Sequence, residues 1–483
     1  MTTGMNLWDG EVWSFILTLS LLFGMMLLAN TLRRLCGFLR RMMIPSSVLG
    51  GFLLLGLNYV LQRFWSISLY SKADLEILTY HGLGLGFAAL SLRRLRKDQD
   101  GRSKTGALDA GLTVVNGYLL QAVLGLIITL SLYYLIGSFY GSGVLLPMGY
   151  GQGPGQAFNW GHNFEAGSWV PPFEGGFQYG TSFGLAVAAM GFVSASIGGI
   201  FYLNRLRRKG LYKGNMGDDV QEKLTLDSFT GDNEIPQAES LDKFTVQLAL
   251  CFLAYLLAYL FMNFLNHLLD PAGVGASGIK GTLQGMIWGF QFLFSSVFAI
   301  LIRMVLGQLR KKGIMHRDYT NNFMLDRISG FMFDLMVVAS IAAIDLSAFR
   351  DMEIVLPLLL ICAAGTVGTY LYLGIVCKRV FPGYEHEAFL SLYGMLTGTA
   401  STGVILLREL DPQFRTQASD NIVYHMPWAI LFGAPMFLLV GLAPQSPGKS
   451  LLTLGVCAGL FVVFNLFLLR RNIFRKKGEA ENV

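Results

Sequence analysis

The chain has 483 residues, of which 53% are hydrophobic and only 14% are charged, and its formal net charge at pH 7 is +6. This composition excludes an ordinary water-soluble globular protein and indicates a polytopic membrane protein. The five cysteines are an odd number without metal-ligand spacing, so they predict neither a disulfide framework nor a metal site.

Eleven apolar runs follow one another along the chain. Each is close to the roughly 20 residues needed to cross a hydrocarbon core of about 30 Å. The runs are residues 13–32, 44–61, 75–92, 111–136, 179–203, 244–268, 283–306, 328–346, 355–376, 423–440 and 451–469. No lysine or arginine precedes the first run, which argues against a cleaved signal peptide. We therefore predict eleven membrane-spanning helices.

The lysine and arginine residues collect on alternate loops if the N-terminus is placed outside the cell. Clusters follow the first, third, fifth and seventh runs, and another, RRNIFRKK, follows the last. Of the 37 basic residues, five fall on the outer side: Arg63, Lys72, Lys280, Arg350 and Lys449. The positive-inside rule therefore predicts an outer N-terminus and a cytoplasmic C-terminus. This topology and contact with membrane lipids explain the positive charge, and no nucleic-acid partner is predicted.

The chain also contains the signs of an internal repeat. The hexapeptides FAALSL, residues 87–92, and IAAIDL, residues 341–346, end the third and eighth runs, and each precedes one further run and a glycine-rich joint. Because five spans are an odd number, a second set of five enters the membrane from the opposite side. Inverted repeats with broken segments that meet near the midplane are typical of secondary transporters.

We therefore predict an all-α polytopic membrane protein with two inverted five-helix repeats, each with a re-entrant hairpin, and one extra C-terminal transmembrane helix. The predicted parts are a first repeat at 1–204 with its hairpin at about 141–165, a cytoplasmic linker at 205–243, a second repeat at 244–443 with its hairpin at about 386–408, and an extra helix with a basic cytoplasmic tail at 444–483.

The two joints supply the candidate binding residues. Glycine lets the backbone bend and approach a ligand closely, and the amides of a broken helix suit an anion, whereas free carbonyls and side-chain oxygens suit a cation such as sodium. The candidates for substrate binding are Gly151, Gln152, Gly153, Gly155, Gln156 and Asn159 in the first joint, and Thr397, Gly398, Thr399, Ser401 and Thr402 in the second. The alternatives are a disordered or turn-rich external loop for the first joint and a helix-packing face of small residues for the second.

One acidic residue within an apolar run is a candidate for ion coupling. Asp334 lies eight residues after Asp326, which is about 12 Å along a helix and too deep to reach the interface easily. Sodium or proton coupling is one interpretation, and a buried structural hydrogen bond is the other. The sequence has no nucleotide-binding P-loop and no hydrolase motif. We therefore predict that the protein is not an enzyme, that it needs no cofactor and that an ion gradient drives it.

Four stretches carry a resemblance to a known family: IPSSVLGG after the first basic loop, GLGLGFAALSLRR at the third run, GQGPGQAF in the first joint and LDRISGFMFDLMVVASIAAIDL around the eighth run. On these stretches the sequence resembles the bacterial sodium:glutamate symporter family (ESS), over nearly the whole chain up to about Pro444. The resemblance implies a homodimer in the bacterial inner (plasma) membrane that imports an acidic amino acid with sodium. It also implies an elevator-like movement of a transport domain against a dimerising scaffold.

The joints depart from the family pattern, so the chain resembles a divergent member. Gln152 and Pro154 stand where the family has histidine and threonine, and Gln156 stands where it has a small alanine. In the second joint, Leu396, Ala400 and Ser401 replace glycine, threonine and proline. These are the side chains closest to the expected substrate, so the substrate does not follow from the resemblance.

The function expected from these observations is sodium-coupled symport of glutamate or a related anionic amino acid or carboxylate. One alternative is an ion-coupled transporter or exporter of a different small metabolite. A second alternative, from another class of protein, is a non-transporting membrane receptor or assembly component built on a transporter fold. The expected partners are a small anionic substrate, membrane lipids and a second copy of the chain, with sodium as the coupling ion.

Overall fold

A computed structural model describes most of the chain. The described residues are 6, 8–94, 104–167, 171–212, 242–271, 273, 278–315, 317–412 and 416–470. Most of the predicted linker and the predicted basic tail lie outside them.

The described residues form eighteen α-helices. The helices are α1 (Gly10–Leu35), α2 (Gly37–Arg41), α3 (Ser46–Trp65), α4 (Lys72–Leu92), α5 (Lys104–Ile136), α6 (Leu145–Tyr150), α7 (Pro154–Ala166), α8 (Gly180–Arg208), α9 (Lys243–Leu269), α10 (Gly278–Gly289), α11 (Gln291–Lys311), α12 (Asn322–Ala342), α13 (Met352–Val380), α14 (Glu385–Thr397), α15 (Ala400–Arg408), α16 (Gln417–Tyr424), α17 (Met426–Leu442) and α18 (Pro447–Leu468).

Ten helices of the described part are long and apolar enough to cross a membrane: α1, α3, α4, α5, α8, α9, α11, α13, α17 and α18. The protein is therefore a multi-pass α-helical membrane protein, as the composition predicts. Eleven spans were predicted, and the difference is α12. Every stretch of 18 residues within this helix contains Asp326, Arg327 and Asp334, so its apolar character is interrupted by charge. The orientation of the termini remains a prediction.

Two of the predicted runs are not continuous helices. The run predicted at 283–306 is divided, because α10 ends at Gly289 and α11 begins at Gln291. The run predicted at 423–440 is divided at His425, which precedes α17. The second break has a local cause, since Pro427 lies in the first turn of α17, where proline's missing N–H costs nothing.

The chain divides into two compact units. Unit 1 contains Met1–Ser71, Asp100–Asp218 and Ser340–Val483, and unit 2 contains Lys72–Gln99 and Asp219–Ala339. Each unit takes helices from both predicted halves of the chain. The inverted repeat therefore remains a prediction.

Three long helices, α5, α8 and α13, form the centre of unit 1. The short helix pairs α6–α7 and α14–α15 pack against them, and α17 and α18 pack against α5. The apolar side chains of Leu112, Val376 and Leu468 form a buried cluster that joins α5, α13 and α18. The additional C-terminal helix is thus an integral part of the bundle that holds the two short helix pairs.

Unit 2 is built around α4, which packs against α9 and α11. Two side chains of α11 bind carbonyl oxygens of α4: Gln291 donates to the carbonyl of Tyr80 at 2.7 Å, and Ser295 donates to the carbonyl of Gly84 at 2.9 Å. These polar contacts fix the register of α4 against α11.

A carboxylate between α11 and α12 joins two arginines in unit 2. Asp318 accepts hydrogen bonds from Arg94 at 2.7 Å and from Arg310 at 2.5 Å. The hydrogen bond from Arg94 is the main cause that lowers the pKa of the Asp318 carboxyl below its ordinary value, and Arg310 adds to the effect.

We expect Asp318→Asn to lower the free energy of unfolding by about 1 kcal/mol, the upper end of the range for exposed ion pairs, because both arginines are partly exposed. The lowered pKa means that the carboxylate stabilises the folded state fully above its unfolded pKa of about 3.9, and that this contribution is lost as the pH falls through the folded pKa. Thermal unfolding in detergent should separate wild type from Asp318→Asn at pH 7, and the difference should shrink below pH ~4. An equal difference at both pH values would contradict the role of this carboxylate.

Candidate functional site

The first glycine-rich joint forms two helices with a short break. α6 ends at Tyr150, and α7 begins at Pro154 after three residues that are not helical. Gly153 has a φ angle of 86°, a region that residues with a side chain rarely adopt. Pro154 occupies the first position of α7, where its fixed φ angle is already helical. The joint is therefore a pair of helices with a short break and not a turn-rich loop.

The second joint also consists of two helices with a short break between them. α14 ends at Thr397, and α15 begins at Ala400. The two arms of this pair pack closely through small residues: a Cβ atom added at Gly394 would lie 2.8 Å from the Cα atom of Gly403. Small residues thus form the packing face between α14 and α15, as one interpretation of this joint had it. The second joint shares with the first the break between its two helices.

The two breaks meet within unit 1. A Cβ atom added at Gly153 would lie 3.3 Å from the Cγ2 atom of Thr399 and 3.7 Å from the carbonyl oxygen of Gly398. We call these two breaks, residues 151–153 and 398–399, tip 1 and tip 2. Residues about 245 positions apart in the sequence are therefore neighbours at one place in the bundle.

Helix α8 supports both helix pairs through a face of small residues. The carbonyl of Ala157 on α7 lies against Gly184, and the carbonyl of Thr397 beside tip 2 lies against Gly191. The ring of Tyr393 on α14 covers Gly198. Because these glycines have no side chain, the backbones of both pairs approach α8 more closely than any other residue would allow.

Polar side chains connect each tip to the long helices. Beside tip 1, the hydroxyl of Tyr150 lies 2.9 Å from the hydroxyl of Ser194 on α8 and donates to the carbonyl of Cys362 on α13 at 2.9 Å. Beside tip 2, Gln121 of α5 donates to the carbonyl of Leu396 at 2.8 Å and to the hydroxyl of Thr369 on α13 at 3.0 Å. The residues beside each tip are thus hydrogen-bonded to the half of the chain to which that tip does not belong.

The N-terminal ends of α7 and α15, which follow the two tips, favour the binding of an anion. The first N–H groups of α7 and α15 lack partners within their own helices, and neither Gly153 nor Thr399 caps its helix with a side-chain hydrogen bond. A helix N-terminus carries a partial positive charge of about half an elementary charge. The N-terminal ends of α7 and α15 follow tip 1 and tip 2, so two partial positive charges lie close together where the tips meet.

The candidate residues differ in how far they are accessible. Ser401 is exposed, and Gln152 and Thr399 are half-buried. The remaining eight are buried: Gly151, Gly153, Gly155, Gln156, Asn159, Thr397, Gly398 and Thr402. The hydroxyl of Thr397 donates to the carbonyl of Tyr393 at 2.7 Å, so its hydrogen is used within its own helix. Among the candidates, the accessible polar groups are therefore those of Gln152 and Thr399 in the tips and of Ser401 on α15.

All eleven substrate-binding candidates lie in unit 1, whereas Asp334 lies on α12 in unit 2. Asp334 is exposed and not buried. Within the described part of the chain, no group of three His, Cys, Asp or Glu side chains could hold a metal ion. A sodium role for Asp334 remains a prediction.

Several residues of the site were not predicted. They are Gln121, Tyr150, Ser194, Thr366 and Thr369. A signal existed for the glutamine, because it is a polar side chain in the middle of the apolar run at 111–136, and such residues usually have a specific partner. Nothing in the sequence identifies the partner.

No protein-family model matches the chain, and a search of curated proteins gives no match. The resemblance to the sodium:glutamate symporters therefore rests on the sequence motifs alone.

Proposed function

We propose that the protein is a secondary active transporter that binds an anionic substrate between tip 1 and tip 2 and carries it together with sodium. The substrate class is glutamate or a related anionic amino acid or carboxylate. The observation that carries the proposal is the meeting of two broken helices in unit 1, where Gly153 faces Thr399.

The arrangement suits a carboxylate for electrostatic reasons. The backbone N–H groups at the beginnings of α7 and α15 suit an anion, and the partial positive charges of both helix ends add to the attraction. Non-helical backbone within a membrane protein is tolerated only where protein or a water-filled cavity satisfies its polar groups. A binding site that opens to water accounts for such backbone at both tips.

The transport cycle that we propose is elevator-like alternating access in a homodimer. Both helix pairs belong to one compact unit. They are held to α5 and α13 by the hydrogen bonds of Gln121 and Tyr150, and they pack against the glycine face of α8. Elevator-like movement requires a domain that moves with both tips held together. The resemblance of the motifs to the sodium:glutamate symporters supports the same cycle.

Uptake of radiolabelled L-glutamate into proteoliposomes tests the proposal. We expect uptake with an inward sodium gradient and little uptake when choline replaces sodium. Uptake that is independent of sodium would exclude sodium coupling and favour another ion. A lack of flux for glutamate and for a panel of related carboxylates, with correctly inserted protein, would contradict the proposal and favour the receptor alternative.

A further inference from the structure

Gln121 of α5 is a buried amide with one oxygen that the structure leaves without a hydrogen-bond partner. The side chain is 0% exposed, and its Nε2 atom donates to the carbonyl of Leu396 at 2.8 Å and to the hydroxyl of Thr369 at 3.0 Å. Its Oε1 atom has no hydrogen-bond partner among the described residues. A buried acceptor left in this state costs about 1–3 kcal/mol, and a bound cation or hydrogen-bond donor would remove that cost.

The orientation of this amide is fixed by its partners. A flipped amide would place Oε1 against the carbonyl oxygen of Leu396, where two acceptors repel each other and no hydrogen bond forms. The oxygen therefore points away from the carbonyl of Leu396, and its capacity to accept a hydrogen bond is unused among the described residues.

The C-terminal end of α14, beside Gln121, makes the electrostatic potential around this side chain more negative. Leu396 lies in the last turn of α14, immediately before tip 2, and its carbonyl is one of the last four that have no partner within the helix. The C-terminal end of a helix carries a partial negative charge. An amide oxygen beside such an end repels a carboxylate and attracts a cation, in contrast to the N-terminal ends of α7 and α15.

We infer that Gln121 binds a cationic group beside tip 2, through its Oε1 atom. This inference rests on the proposed function, because it assigns the cation of that site: a sodium ion, or the ammonium group of an amino-acid substrate. Sodium is a hard cation that takes amide, carbonyl and hydroxyl oxygens, and an ammonium group donates hydrogen bonds to the same atoms. The carboxylate of the same substrate would then bind the helix beginnings at the tips.

Sodium binding by the purified protein tests the inference without transport. The thermal midpoint is measured in detergent over a series of sodium chloride concentrations, with choline chloride added to keep the ionic strength constant. In wild type, we expect sodium to raise the midpoint with a saturable dependence. In Gln121→Met, which has a similar volume and no acceptor oxygen, we expect the half-saturating sodium concentration to rise at least about tenfold.

Gln247 provides a matched control. It is a glutamine that is also 0% exposed, but its Nε2 atom donates to the carbonyl of Tyr319 at 2.6 Å and its Oε1 atom accepts from the amide of Asn321 at 3.0 Å. We expect Gln247→Met to lower the thermal midpoint and to leave the sodium dependence unchanged. If Gln121→Met does not fold, Gln121→Glu replaces it, and a carboxylate in direct contact with the ion must change the half-saturating concentration at least about tenfold.

A comparison of L-glutamate with glutarate, which lacks the ammonium group, distinguishes the two cations. If sodium has no effect on wild type but L-glutamate raises its midpoint more than glutarate does, loss of that preference in Gln121→Met assigns the ammonium group. If Gln121→Met keeps both the sodium dependence and the preference, or if wild type shows neither, the inference is overturned. A sodium dependence that requires Gln121 in a protein without flux would sustain the inference and contradict transport.

Discussion

Replacing Gly153 with leucine is expected to reduce sodium-driven uptake by at least about 100-fold, the effect of displacing binding groups by about 1 Å. Two features of the glycine cause this loss. Its φ angle of 86° is unfavourable for a residue with a side chain, at a cost of about 1–3 kcal/mol. Its Cβ position would also lie 3.3 Å from Thr399, so the remaining carbons of leucine would fill the space between tip 1 and tip 2.

Gly137 separates these two causes. It also has a left-handed backbone, with a φ angle of 76°, but a Cβ atom added there meets no atom within 4 Å. Gly137→Leu should therefore lower stability by a similar amount and retain most of the uptake. Both variants are compared per milligram of monodisperse protein inserted into the liposomes. Normal uptake by a folded Gly153→Leu protein would remove the basis for a binding site between the tips.

The apolar helices and the two helix breaks could be predicted because their causes are local. Hydropathy over about 20 residues defines a span, and glycine and proline at Gly153 and Pro154 define a break. The break at Phe290 was missed because it lies within a continuous apolar run. A single glycine such as Gly289 is tolerated within helices and gives no reliable signal.

The contacts between the tips and the long helices could not be predicted, because they join distant parts of the chain. Gln121 and Leu396 are 275 positions apart, and Tyr150 and Cys362 are 212 positions apart. A polar residue in an apolar run indicates that it has a partner, but only the packing of α5 and α13 determines which one. The same packing determines which residue fits beside tip 2, since Gly117 on α5 provides the space that Leu396 occupies.

Gly191→Leu is expected to cause the second large loss, again about 100-fold in uptake. The glycine lies on α8, and the carbonyl oxygen of Thr397 contacts it so closely that even a Cβ atom has no room. A leucine side chain must therefore push the end of α14 away from α8, and tip 2 moves with it away from tip 1. We expect the thermal midpoint to fall as well, because overpacking of a buried contact costs about 1–3 kcal/mol.

A pair of alanine variants makes this prediction specific to the position. Gly374 lies within α13, and a Cβ atom added there meets nothing within 4 Å. Because alanine favours a helix over glycine by about 0.8–1.0 kcal/mol, Gly374→Ala should stabilise the protein and leave uptake unchanged. Gly191→Ala should do the opposite, with lower uptake and a lower midpoint, since its single methyl group already displaces Thr397. If Gly191→Ala behaves like Gly374→Ala, then α8 does not position tip 2, and the close approach of the two tips does not depend on this face of the helix.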